Sequence, residues 1–188
     1  MFIKRSFDIV LSLILISILI LPIISIAFVI KIDSDGSSFF FSQRFGKNNK
    51  LFLMPKFRTM ATNAPHLPTH LLKDSKKYIT KIGILLRKTS LDEIPQLWSI
   101  LKGDMSFVGP RPALFNQNDL ITLREKLDIH LLTPGLTGWA QVNGRDEVSI
   151  NEKVKLENFY KKHQCITLDL KILYLTFQKV VRMKHIRH

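Results

Sequence analysis

The sequence predicts an α+β chain, mostly helical, in which an apolar N-terminal membrane helix precedes a compact domain with a small β-hairpin. Three observations predict it. The run from Ile9 to Ile30 contains no charged residue. Two aromatic-rich runs, FFFSQRF and LFLMPKF, flank the turn GKNN. Beyond them, helical segments alternate with loops rich in Gly and Pro.

The N-terminal run is flanked by Lys4, Arg5 and Asp8 before it and by Lys31 after it. A helix of ~20 apolar residues crosses a bilayer core. The run is too long for a signal-peptide core and lacks a small-x-small cleavage pattern, so it is expected to be retained as an anchor. Pro22 interrupts it, removing one helix hydrogen bond and crowding the preceding turn. In lipid nothing but protein or local rearrangement re-satisfies the freed carbonyl. Positive residues on both flanks do not assign the two ends to opposite sides. Two arrangements therefore fit: a bent helix that enters and leaves by one face, and a kinked span with the basic remainder in the cytoplasm. The composition divides at about DSDGSS, giving an anchor over residues 1–35 and a second unit over 36–188.

The two aromatic runs around a Gly/Asn turn predict a β-hairpin, with Pro55 consigning the second strand to an edge. ATNAPHLPTH, 61–70, predicts a proline-bearing loop. Helices are predicted around Lys76 to Arg87, from Asp92 to Leu101, Gln117 to His130, Glu152 to Lys162 and Leu168 to Met183. GDMSFVGPRP and TPGLTGWAQVNGRD are the two long loops, and loops this long tend to carry function.

At 188 residues the chain suffices for one domain with a real core. Its formal net charge of +13 favours polyanions: nucleic acid, an anionic membrane face or phosphorylated substrates. Cys165 is the single cysteine, which excludes an intramolecular disulfide and a thiolate zinc cluster. The histidines show no metal-ligand spacing; His66 and His70 stand four apart, but Pro65 and Pro68 argue against one helix presenting both.

The chemistry concentrates in TSLDEIPQLWSILKGDMSFVGPRP, residues 89–112. Ser90-Leu91-Asp92-Glu93 fits the S-x-x-E capping box, or Asp92 is itself the cap with Pro95 in the first turn. Either way the two carboxylates would lie at a helix start, whose dipole keeps them ionised and draws phosphate near. The bland reading is a plain cap. Basic residues favour more: Arg87 and Lys88 precede the pair, Arg111 follows between Pro110 and Pro112, and Lys56 and Arg58 close the hairpin. A carboxylate pair beside phosphate-binding cations can hold a divalent metal that bridges phosphates, or one member can attack phosphorus.

KRSFDI at 4–9, QRFGKNNKLFLMPKFRTM at 43–60, TKIGILLRKTSLDEIPQLWSILKGDMSFVGPRP at 80–112, PGLTGWAQVNGRDE at 134–147 and LDLKIL at 168–173 together form an ordered, specific set. With these pieces the chain resembles the bacterial monotopic phosphoglycosyltransferases, which begin lipid-linked glycan assembly. The resemblance implies transfer of a sugar-1-phosphate from a UDP-sugar to polyprenyl (undecaprenyl) phosphate, with release of UMP and with magnesium (Mg2+). It implies that Asp92 is the nucleophile of a ping-pong reaction, forming a phosphosugar-aspartyl intermediate, and that Glu93, with Asp92, holds the metal. Arg111, Pro110 and Pro112 become the phosphate- or nucleotide-contacting turn, Arg87, Lys56 and Arg58 neighbouring cations, and Asp169 a buttress acting through one of the arginines.

The resemblance also implies a re-entrant anchor broken at Pro22, interfacial helices, and a catalytic domain on the cytoplasmic face of the inner membrane. Membrane lipids and downstream glycosyltransferases become expected partners. Two departures stand out: Leu21 precedes the proline where relatives often have serine, and GKNN replaces a turn that often ends in glycine. ATNAPHLPTHLL and VGPRPALFNQ resemble relatives that use N-acetylated deoxysugars. Trp139 and Phe39 to Phe41 are expected in core packing rather than as interfacial anchors. A membrane-tethered, non-catalytic polyanion binder is the alternative. Its weakness is that the basic residues are scattered and no nucleic-acid motif occurs, so nucleic acid is not an expected partner.

Overall fold

The computed structural model describes residues 2–64, 77–144 and 148–181. His66, His70, most of ATNAPHLPTHLL, Arg145 to Glu147 and the expected helix ends at Lys76 and Met183 lie outside the described residues.

Helix α1, Phe2–Asp33, runs through Pro22. Strands β1, Phe39–Phe45, and β2, Leu51–Phe57, form the predicted hairpin, with Asn48 and Asn49 at positive φ in its turn. Helix α2 is Lys81–Thr89 and α3 is Gln96–Lys102. Strand β3 is Ser106–Val108, β4 Ala113–Leu114, α4 Asn118–Lys126 and β5 Gly135–Thr137. Helices α5, Trp139–Asn143, α6, Ile150–His163, and α7, Ile166–Val181, complete the order.

One sheet has the order β2-β1-β4, all antiparallel, and the second pairs β3 with β5 in parallel. Strand β2 is thus an edge, where the missing N–H of Pro55 costs no ladder bond. The parallel pair lies so close to the turn after β3 that a Cβ at Gly109, Gly135 or Gly138 would collide with facing backbone. Only glycine permits that approach.

Several helices differ from expectation. The segment from Asp92 to Leu101 is a 3-10 turn, Leu91–Glu93, followed by α3, with Pro95 between them. The expected Gln117 to His130 helix stops at Lys126, because Asp128 turns to φ 53 before a second 3-10 turn at Ile129–Leu131. Helix α6 starts earlier than expected, on a complete capping box between Ser149 and Glu152.

The main core gathers Met54, Leu97, Ile100, Phe107, Tyr160 and Ile172, and Leu11, Leu15 and Leu19 of α1 pack against it. A second cluster joins Ile30 of α1 to Phe57 and Leu86. Trp139 and Phe39 do pack, stacking on Phe159 and Phe57 at 5.5 and 5.4 Å, whereas Phe40 and Phe41 are exposed.

Both ends of α1 are tied to the same domain by polar contacts. Lys4 Nζ donates to Asp169 Oδ2 at 2.6 Å, and Arg5 donates to the carbonyls of Ile100 and Leu101 at 2.6 and 2.7 Å. Those carbonyls belong to the last turn of α3, where a basic side chain meets the negative end of the helix. Buried Asp8 accepts from Ser106 Oγ and Phe107 N, each at 3.1 Å. At the other end Ser38 Oγ donates to the Ala27 carbonyl at 2.6 Å, and Arg58 grips the carbonyls of Ser34 and Asp35. Between these ties the helix is long and apolar enough to cross a membrane, and its middle is uncovered, with Ile18 65% and Leu21 72% exposed. That exposure excludes the ordinary core helix. The chain is membrane-associated.

Arg124 and Glu157 form a buried, two-pronged ion pair at 2.6 and 2.8 Å that holds α4 on α6. Removing one partner strands a buried charge, at a cost of ~3–5 kcal/mol, whereas an apolar pair of similar size costs far less. Thermal unfolding in detergent should therefore show Glu157→Ala as strongly destabilised. Arg124→Met with Glu157→Leu should recover most of the loss; a double variant as unstable as the single one contradicts this account.

Candidate active site

The acid pair is presented differently from a helix cap. Helix α2 claims Ser90 first: its backbone N–H bonds the Arg87 carbonyl, and the residue adopts φ 59, ψ 17 as the left-handed end of that helix. An N-cap needs extended backbone, so the Ser90 hydroxyl caps nothing and the expected capping box does not form. A series of i to i+3 bonds follows, from Glu93 N to Ser90 O, Ile94 N to Leu91 O and Leu97 N to Ile94 O. The tight 3-10 turn points both carboxylates into the domain rather than back along a helix.

Glu93 meets two cations there. Lys56 Nζ from β2 donates to its Oε1 at 2.7 Å, and Arg111 Nη2 donates to the same oxygen at 3.0 Å. Burial by itself would raise the Glu93 pKa; the charges and hydrogen bonds of Arg111 and Lys56 outweigh burial and hold it well below the usual carboxylate range. Lys56 also stands 3.8 Å from Asp92 Oδ2. Asp92 is buried, 9% exposed.

Around the pair, Arg87 Nε donates to Thr59 Oγ1 at 2.8 Å and feels the charge of Asp92. Burial lowers the Arg87 pKa, and Asp92 partly offsets that. Arg111 sits between Pro110, whose carbonyl accepts from Gly135 N at 2.9 Å, and Pro112. Its own carbonyl accepts from Arg124 Nη2 at 2.9 Å. The turn is therefore fixed by its prolines, by the parallel sheet and by the buried Arg124–Glu157 pair together.

Lys56, Arg87, Asp92, Glu93 and the Pro110-Arg111-Pro112 turn are thus brought together. Two expected members are not. Arg58 points to the end of α1, because the carbonyls of Ser34 and Asp35 leave the helix unpaired and demand a donor. Asp169 is buried at the other end of α1, where Lys4 and Tyr160 Oη at 2.7 Å take its oxygens instead of an arginine. Three residues escaped the sequence reading: Arg124, Thr59, and Arg44 on β1, whose Nη1 reaches the Pro112 carbonyl at 3.4 Å. Arg44 was visible only as a strand residue inside QRFGK; its nearness to the turn depends on β1 pairing with β4.

Magnesium is commonly held by one or two carboxylates together with substrate phosphates and water. Asp92 and Glu93 fit that donor set. Both cations use Oε1 of Glu93, and its Oε2 accepts no hydrogen bond among the described residues.

The family model described as bacterial sugar transferase matches residues 1–183. An uncharacterized sugar transferase, EpsL, of Bacillus subtilis is 40% identical over 96% of this chain and 88% of its own length. The undecaprenyl-phosphate galactose phosphotransferase of Salmonella typhimurium is 39% identical over 96% of this chain but 41% of its own. A UDP-N-acetylgalactosamine-undecaprenyl-phosphate N-acetylgalactosaminephosphotransferase of Aeromonas hydrophila is 33% identical over 96% of this chain and 44% of its own. The chain therefore spans less than half the length of the last two.

Because Glu93 is held below its unfolded pKa, its ion pairs stabilise the fold above the ordinary carboxylate range, and that contribution is lost as the pH falls through the lower, folded value. Arg111→Ala removes the stronger opposing charge and raises the Glu93 pKa. The gap in thermal midpoint between wild type and this variant should be full from neutral pH down to about pH 4, where unfolded carboxylates begin to take up protons, and should shrink as the pH falls further below it. A gap that stays constant as the pH falls further would show that Arg111 and Glu93 are not coupled.

Proposed function

We propose that this chain, which belongs to the bacterial sugar transferase family, transfers a sugar-1-phosphate from a UDP-sugar to undecaprenyl phosphate and releases UMP, initiating a membrane-bound glycan. The relatives' names support the reaction class. The observation that carries the reading at this site is the commitment of Glu93 to two cations, beside a second acid.

Glu93 is committed to two charged hydrogen bonds, and a carboxylate held so far below its usual pKa is a poor nucleophile. Asp92, beside it, faces its nearest Lys56 nitrogen at 3.8 Å. The two ion pairs of Glu93 support binding by Glu93 and attack by Asp92. An Asp92 oxygen bonds the phosphorus that bears the sugar while the bridging P–O bond breaks, and UMP leaves with the electron pair. An oxygen of the polyprenyl phosphate then attacks the same phosphorus and Asp92 departs as the free carboxylate. Arg111, Lys56 and Arg87 stabilise negative charge on the transferring group. Asp92 and Glu93 would hold a magnesium ion, which would supply positive charge against the donor phosphates.

The acceptor is a lipid, and several observations support delivery at membrane level. Leu91 precedes Asp92 directly, and Ile84, Leu85 and Trp98 on α2 and α3 expose apolar side chains beside it. Polar ties at both ends of α1 to one domain support a helix that dips and returns over a span, with the domain on the cytoplasmic face. On this reading residues 1–35 anchor and 36–188 catalyse, although α1 also supplies core contacts. The donor sugar is open among N-acetylated deoxysugars and the hexoses named for relatives. A non-catalytic polyanion binder gains no support, since Lys56, Arg111 and Arg124 all serve acids of the chain itself.

Purified protein in detergent, assayed for UMP against a panel of UDP-sugars, should turn over at least one of them. Asp92→Asn should abolish release while unfolding at a normal temperature, and donor alone should leave a phosphosugar adduct on the wild type, visible by intact mass. Full turnover by Asp92→Asn rejects the mechanism. For topology, Phe2→Cys in a Cys165→Ser background should resist an impermeant thiol reagent applied to intact cells; strong labelling from outside means the anchor spans.

A further inference from the structure

We propose that Arg44 is the second arginine of the donor site and grips the phosphate on the nucleotide side, so that UMP departs from between Arg44 and Arg111. The proposal rests on the transferase reading above and extends it to a residue that reading does not use.

Arg44 lies within β1, opposite Phe52 of β2 and Leu114 of β4. Its Nε donates to Ser42 Oγ at 3.1 Å, and Nη1 makes a long 3.4 Å contact with the Pro112 carbonyl. Among the described residues it has no ion pair with a carboxylate. Burial, and then the charge of Arg111, lower its pKa to about 10, with Glu93 pulling the other way. The contrast with Arg124 is instructive. That buried arginine receives both oxygens of Glu157, which is how a fold neutralises a guanidinium it needs only for structure. Arg44 is instead kept half-buried, against a like charge, with one weak carbonyl and one hydroxyl as partners. Arg44 and Arg111 stand at the same proline-flanked turn, and two neighbouring guanidinium groups match a phosphate, which takes paired N–H donors from each.

The pattern of contacts says which phosphate. Lys56 contacts both acids and Arg111 contacts Glu93, whereas Arg44 is hydrogen-bonded to neither and meets the far side of the Arg111 turn at the Pro112 carbonyl. The attacked phosphorus must lie beside Asp92, so the far side of that turn meets the phosphate that leaves. Charge builds there as the bridging bond breaks, and a prepositioned cation stabilises it.

A ping-pong reaction isolates this role, because no nucleotide takes part in the second half. Arg44→Gln should lower kcat/KM for the UDP-sugar by ~10²-fold and weaken UMP binding by about tenfold or more. It should leave kcat/KM for polyprenyl phosphate unchanged. Arg44→Lys should recover part of the loss, and thermal unfolding identifies folded variants. Calorimetric titration with UMP needs no turnover. A folded Arg44→Gln with wild-type UMP affinity, or with equal losses toward both substrates, overturns the role of Arg44 and leaves the transferase reading intact. A wild-type protein that releases UMP from no UDP-sugar ends both.

Discussion

One carboxylate oxygen, Oε1 of Glu93, receives Lys56 from the hairpin and Arg111 from the proline-flanked turn. Three stretches distant in sequence meet at that atom. Without the acid, two cations would face each other in a half-buried site. Without the cations, burial would push the acid toward its protonated form. Each charge is therefore tolerable only because the others are in place, and the three backbones that carry them are fixed relative to one another. The glycines at 109, 135 and 138 and the Arg124–Glu157 pair serve the same end, since they hold the Arg111 turn where its guanidinium can reach.

Much of this was legible in the sequence. Turn chemistry gave the hairpin, and Pro55 marked its edge strand. The spacing around residues 89–112 brought the acids and Arg111 to attention. What misled was locally ambiguous. Ser90 satisfies a capping pattern, but the end of α2 has the prior claim on its backbone, and the genuine capping box sits at Ser149, a stretch with no chemistry to draw the eye. Arg58 and Asp169 read as site residues because they stand in the right motifs. Their partners are the two ends of α1, the Lys4 contact reaching across 165 residues, and no local pattern encodes a contact of that range. Arg44 is the converse case: ordinary in a strand, and informative only after β4 has paired beside it.

The anchor helix is not an appendage. Leu11, Leu15 and Leu19 pack on the same core as Met54 and Ile172, and Ile30 closes a second cluster with Phe57 and Leu86. The strand that carries Lys56 ends at Phe57, and the helix that leads to the acid pair carries Leu86. The position of the helix in a bilayer is therefore mechanically linked to the position of the carboxylates. A freely hinged tether would leave the depth of Asp92 undefined relative to a phosphate fixed at the lipid surface. Buried polar ties such as Asp8 to Ser106 and Phe107 make that hinge costly, because opening it strands a carboxylate and a backbone donor away from water.

Charge counting explains why a basic protein spends two acids here. Lys56, Arg87, Arg111 and Arg44 surround Asp92 and Glu93, four cations against two anions, leaving an excess of two positive charges. On the proposed reaction the diphosphate of a nucleotide sugar would bring about two negative charges, so a loaded site would approach neutrality. Cations alone would attract such a donor but offer it no acid, and acids alone would repel it. Placing the acids side by side on a 3-10 turn brings Glu93 onto Lys56 and Arg111. That turn follows from the left-handed backbone that Ser90 adopts at the end of α2. The end of one helix is thus the local event that sets how the acid pair meets the cations.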